Sequence, residues 1–185
     1  MVGKSEGLTT PLILDIADDS EPLLKTVSAP VDASEFNTEI LQQTVANMIA
    51  TMYEAKGIGL AAPQVRIMKR IIVFYLPPTR DEAGIGVPTT VLINPEMEVV
   101  DGTSVVDFEG CLSVPGMRGK VSRHKTIKYR GYTEKGELVE RLADGWHARL
   151  FQHEFDHLNG ILYPGIMATE DKLMTLEEWK VLSGK

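Results

Sequence analysis

Two histidines four residues apart, His153 and His157, frame Glu154 in the stretch FQHEFDHLNG, residues 151–160. On a helix, positions i and i+4 lie one above the other, so both imidazoles can face one cation while the glutamate projects beside them. A cation held this way needs a third protein ligand. In the longer pattern HExxHxxGxxH that ligand is a histidine; here Gly160 is in place but the final position is Tyr163, which closes that route. Two routes stay open. Glu177 and Glu178 lie downstream, where a helix-borne glutamate would come from, and Cys111, the single cysteine, offers a thiolate suited to zinc or ferrous iron. Either set, His₂Glu or His₂Cys, leaves a fourth position for water and predicts metal-assisted hydrolysis. The plain alternative is that the two histidines are helix packing, which is the weaker reading for an HExxH in a chain with only four histidines.

The elements that must carry these residues can be read from periodicity. In GWHARLFQHEFDHL, Trp146, Leu150, His153 and His157 recur at helical steps, and Asp144 precedes as a cap. NTEILQQTVANMIATMYEAK, residues 37–56, sets Ile40, Leu41, Val45, Met48, Ile49 and Met52 at helical spacing, with Gly57 as the stop. GIGLAAPQ, 57–64, reads as an irregular loop, and KRIIVFYL, 69–76, as a buried strand. PPTRDEAGIGVP, 77–88, is a surface excursion whose GIG is too short for a dinucleotide fingerprint. Strands follow at 89–100, 103–114, 120–132 and 137–143, and a last helix is predicted from Thr169 to about Leu182. The expected fold is α+β: a single domain over residues 1–185, with mostly antiparallel strands around a central helix carrying HExxH, an N-terminal helix and a C-terminal helix.

Bulk properties exclude several classes. A length of 185 residues suits one domain, and the 43% hydrophobic and 24% charged shares are those of an ordinary globular chain without a run long enough for a membrane span. The first twenty residues lack the basic start, apolar stretch and cleavage site of a secretory leader. A lone cysteine excludes an internal disulfide and fits a reducing compartment. The net charge of −7 opposes nonspecific phosphate binding, and the one basic run, RGKVSRHK at 118–125, has no interleaved aromatics, so it reads as a solvated strand face. His124 and His147 have no partner at ligand spacing and are expected at the surface or as caps; Trp146 and Phe151 are expected as core or pocket wall.

Three segments, GIGLAAPQ at 57–64, EGCLSVPG at 109–116 and QHEFDH at 152–157, resemble in order and spacing the three motifs of the peptide deformylase family, whose members remove the formyl group from the initiator methionine of nascent chains. The resemblance extends to the N-terminal ILDIADDSEPLLKTVSAPV. It departs at DDSEP, where the family has a glycine-aspartate-proline turn, and in a longer loop at 77–90; both touch the substrate entrance and leave the chemistry intact.

The resemblance implies that Cys111, His153 and His157 hold one divalent metal with water as fourth ligand, ferrous iron being the ion expected in cells and zinc, nickel or cobalt accepted by purified protein. It implies Glu154 as general base and acid, the Gln64 amide and the Leu112 N–H as donors to the oxyanion, and Gly59 lying along the substrate backbone. Read alone, Gln64 is also a plausible loop cap. Glu109 is expected to pair with Arg123 and to brace the cysteine loop. Ile58, Phe108 and Leu150 are expected to line an apolar methionine pocket, with Arg118 meeting the peptide backbone farther out. N-formylmethionyl peptides and a transient ribosome contact are the implied partners, with no membrane and no nucleic-acid site. The implied home is the bacterial cytoplasm, or an organelle if a transit peptide has been removed. Two readings compete: a zinc endopeptidase using Glu177 or Glu178, and a binding module with a merely structural metal.

Overall fold

The computed structural model describes residues 8–184. Helix α1, Glu39–Glu54, starts at Thr38, whose hydroxyl accepts the Leu41 N–H at 3.2 Å, satisfying one of the free donors of a helix start. It buries Leu41, Val45, Met48 and Met52. Ile40, counted with that stripe in the sequence, faces outward and is 82% exposed. Lys56, not Gly57, takes the left-handed turn at the helix end, with φ +55°. Gly57 is small for a different reason: a Cβ there would lie 2.7 Å from Leu112 Cδ1.

GIGLAAPQ is more ordered than a loop. Gly59–Ala61 forms strand β1, paired antiparallel with β2, Ile71–Leu76, and a 3-10 turn over Ala62–Val65 follows. Strand β2 is buried on both sides, which accounts for its unbroken apolar run. Ile71 and Val73 join the cluster around α1, while Ile72, Phe74 and Leu76 join the cluster around the second helix. Strands β3 (Val87–Val99), β6 (Thr126–Tyr132) and β7 (Leu138–Asp144) complete a five-stranded sheet in the order β1-β2-β3-β6-β7. A second sheet comprises β4 (Ser104–Cys111), β5 (Val114–His124) and the short β8 (Met174–Thr175), in the order β4-β5-β8. All these pairings are antiparallel, and the architecture is α+β.

The run KVSRHKTIKYRGY, read as one strand, is therefore two strands in different sheets. The break falls at Lys125, whose N–H donates to Thr103 O at 2.9 Å and whose carbonyl accepts from Gly145 N at 3.0 Å, so the chain is held where it crosses over. The solvated-face reading of 118–125 also needs correction: Lys120 and Ser122 face solvent, but Arg123 points inward and is 7% exposed.

Helix α2, Gly145–Leu158, carries the HExxH segment and lies against the five-stranded sheet. Phe151 stacks on Tyr129 with centroids 4.3 Å apart and meets Phe74 edge-on at 6.5 Å, an anchor that fixes the helix's rotation. Asp144 occupies the N-cap position, but its carboxylate accepts from the Thr126 hydroxyl at 2.7 Å instead of capping the helix. The last helix, α3, is shorter than the sequence suggests, Leu176–Ser183, and begins where Thr175 and Glu178 form a capping box. Among the described residues no helix is long and apolar enough to cross a membrane.

His147 is neither a surface residue nor a cap. Its ring is half-buried, lies 2.9 Å from the Tyr129 hydroxyl and packs near Phe74. Burial, aided by Arg141 and opposed by Asp81, lowers its pKa from the ordinary 6.5 to about 4. The folded state thus favours the neutral ring, so support for folding is complete above 6.5 and is lost as pH falls toward 4. In an NMR titration the His147 ring carbons should shift near pH 4; a midpoint near 6.5 would contradict its packed environment.

Candidate metal centre

The second and third motif segments meet at the junction of β4, β5 and α2. Cys111 ends β4, and the register slips between Glu109 and Cys111, so the hairpin to Val114 turns tightly through Leu112 and Ser113. The thiol sulfur lies 3.3 Å from His157 Nε2, and one donor atom each from Cys111, His153 and His157 falls within 4.8 Å of the other two. The imidazoles stand nearly perpendicular, 5.0 Å apart at 85°. The sulfur accepts from the Ser113 N–H at 3.4 Å and from Gln64 Nε2 at 3.4 Å.

Behind His153 sits a buried ionic cluster. Glu109 Oε2 accepts from His153 Nδ1 at 2.8 Å, which leaves Nε2 as the ring's free lone pair. Arg123 binds the same carboxylate at 2.9 and 3.0 Å, in the expected pair, and a second guanidinium, Arg149, reaches Oε1 at 2.9 Å. Arg149 also donates to the carbonyls of Val121 and Val105, and Arg123 continues to Asp156. Burial alone would raise the Glu109 pKa, but the hydrogen bonds from His153 and Arg123 outweigh it and hold the carboxyl well below the usual range. Burial likewise opposes charge on His153, yet Cys111 and Glu109 beside it hold its pKa well above that of an ordinary histidine. The field that favours a proton at Nε2 favours a metal cation there equally. His157, by contrast, is held neutral by burial, the form that ligates. A sulfur and two imidazole nitrogens, with the ring positions fixed, fit zinc or ferrous iron.

Glu154 is buried, and its Oε2 has no hydrogen-bond partner among the described residues. Burial raises its pKa to about 7. Gly59 makes room for it: a Cβ at that position would stand 2.1 Å from Glu154 Oε1. The missing side chain that the resemblance relates to the substrate backbone also leaves space that Glu154 occupies. Gln64 is both cap and site residue, because its Oε1 accepts the Ala61 N–H at 2.8 Å and its Nε2 faces Cys111 and the Ser113 hydroxyl, at 3.1 Å from the latter.

These groups open onto a cleft of about 800 Å³, within the range of ligand pockets. Ile58, Phe108, Leu150, Arg118 and Trp146 all line it, as do Gly59, Gln64 and Leu112. Glu177 and Glu178 do not join the donor group, and Glu178 is occupied as the helix cap of Thr175. Sequence reasoning missed Arg149 and Ser113. Arg149 was within reach of it, since 149, 153 and 157 form one i, i+4, i+8 stripe on α2; the role of Ser113 depends on a hairpin turn that spacing does not reveal.

A family model described as polypeptide deformylase matches residues 13–172. Peptide deformylase 2 of Bordetella bronchiseptica is 43% identical over 145 residues, 78% of this chain and 81% of that protein. Among solved structures, a class I type b peptide deformylase from Acinetobacter baumannii superposes with a TM-score of 0.79 at 42% identity, covering 84% of this chain and 99% of the other. A Met-Ala-Ser-bound structure of class I type b peptide deformylase from that organism superposes with a TM-score of 0.77 at 40% identity, covering 84% and 99%.

Because Glu109 fixes His153 through Nδ1, Glu109→Gln should weaken divalent-metal affinity by about ten- to a hundredfold. Competition against a chromophoric chelator measures this; unchanged affinity would show that the carboxylate does not orient the ring.

Proposed function

The chain belongs to the polypeptide deformylase family, metal-dependent enzymes, and removes the N-formyl group from nascent peptides; we propose that it does so in the cleft above Glu154, with Cys111, His153 and His157 holding the ion. The convergence of these three donors beside a buried, half-unpartnered carboxylate carries the reading. Ferrous iron is the ion proposed in cells, with zinc, nickel or cobalt as substitutes in purified protein, since all accept sulfur and imidazole donors.

When bound, the ion would polarise the formyl oxygen and acidify a water. The protein supplies the rest. Glu154 takes a proton from the attacking water and returns it to the departing amine, one carboxylate serving as base and then acid. Gly59 leaves open the space that the Glu154 carboxylate occupies. Charge grows on the formyl oxygen during attack, and the proposed donors to it are Gln64 Nε2 and the Leu112 N–H. Gln64 suits this because the Ala61 N–H engages its carbonyl and leaves the amide NH₂ turned inward, so little reorganisation is needed as charge develops.

Ile58, Phe108 and Leu150 offer the methionine side chain an apolar lining, and Arg118 is proposed to meet the peptide backbone beyond it. The Met-Ala-Ser complex of the Acinetobacter baumannii protein supports a peptide of that kind as occupant here. We further propose that the whole chain works as one catalytic domain in the bacterial cytoplasm, or in an organelle, with transient ribosome contact. The endopeptidase alternative loses its third ligand, because neither Glu177 nor Glu178 joins the donor group.

With ferrous iron or nickel, the protein should release formate from formyl-Met-Ala-Ser. Glu154→Ala should retain the metal while kcat falls by about 10²- to 10⁴-fold. Metal loss in that variant, or undiminished turnover, would overturn the role given to Glu154.

A further inference from the structure

The family match stops at residue 172, yet the residues beyond it return to the cleft. Strand β8 pairs with β5 at two positions, Met117 with Thr175 and Arg118 with Met174, and α3 follows directly. Leu176 and Trp179, three residues apart and so on one helix face, line the cleft that also holds Cys111 and Glu154. Helix α3 has no fully buried residue, so core packing does not explain its position.

Besides the β8 pairing, a contact at Arg118 holds it there. The Trp179 ring lies 5.7 Å from the Arg118 guanidinium carbon, within cation–π range. From Gly110, a Cβ would come within 2.2 Å of Arg118 Nη1. The guanidinium thus lies between the β4 backbone at Gly110 and the indole. One of its five N–H donors goes to the Met117 carbonyl at 2.7 Å. A long cationic side chain with donors unused among the described residues, restrained at the wall of a peptide cleft, is prepared to receive main-chain oxygens.

We propose that the β8–α3 arm is a substrate-positioning element: Trp179 restrains Arg118 so that it engages the main-chain oxygens of the residues following formylmethionine, and Leu176 extends the apolar wall beside them. This rests on the deformylase reading and deepens it, because it makes the C-terminal arm a determinant of how the enzyme senses peptide length. Trp179 acts through Arg118 and is a positioning residue, not a catalytic one.

The test compares metal-loaded wild type, Trp179→Ala and Trp179→Phe on formyl-Met-Ala and formyl-Met-Ala-Ser. The ratio of kcat/KM for the tripeptide over the dipeptide should fall about fivefold in Trp179→Ala, through KM, as expected for one cation–π contact. Trp179→Phe, which keeps a ring, should retain most of the ratio. If wild type releases formate from both peptides but the ratio does not move in Trp179→Ala, or both substrates lose equally, the inference is overturned while the deformylase reading stands. No formate from either peptide with wild type overturns both.

Discussion

One buried carboxylate organises this molecule. Glu109 is taken out of water, which would cost several kcal/mol for an unpaired charge, and three partners compensate it: Arg123 from β5, and Arg149 and His153 from α2. Each bond joins β4 to another element, so the second sheet and helix α2 dock through the same group. Asp156 extends the cluster by pairing with Arg123. Because the third partner is a proposed ligand histidine, the electrostatics that hold the second sheet to the helix also set which nitrogen of His153 faces the cleft. Fold and chemistry share one salt-bridge network.

The first motif segment completes the site from the opposite side. Strand β1 brings Gly59 against Glu154, and the 3-10 turn after it brings Gln64 toward Cys111. Both depend on backbone shape. An alanine at 59 would collide with the carboxylate, and without the Ala61 bond the Gln64 amide could rotate. Behind these polar groups the aromatic stack of Tyr129, Phe151 and Phe155 keeps α2 from turning about its axis. A helix rotated by one residue, about 100°, would carry both imidazoles away from the sulfur.

Much of this was legible in the amino-acid order because it is local. The ends of α2 follow from helical periodicity, and His153 and His157 share a face by spacing alone. Cys111, 42 positions from His153 in the chain, was a candidate partner by residue type alone, and only the likeness of its flanking residues to a family motif favoured it over Glu177 and Glu178. What resisted reading is tertiary. Lys125 separates β5 from β6 through hydrogen bonds to distant carbonyl and amide groups, and nothing in its own neighbourhood marks a break. Composition alone placed Arg123 in a solvated basic run, and only the family resemblance paired it with Glu109, since a charged side chain turns inward only when a buried acid awaits it. His147 looked idle because its partner, Tyr129, lies not on α2 but on β6. The Thr175 capping box was present as TLEE but was passed over for an earlier threonine.

The central claim is that a single thiolate joins two imidazoles around a catalytic cation whose position Glu109 fixes. X-ray absorption at the metal edge of the loaded protein tests it most directly. The expected spectrum contains one sulfur scatterer with two imidazole rings and a further light atom. A shell of nitrogen and oxygen alone, with no sulfur, would contradict it.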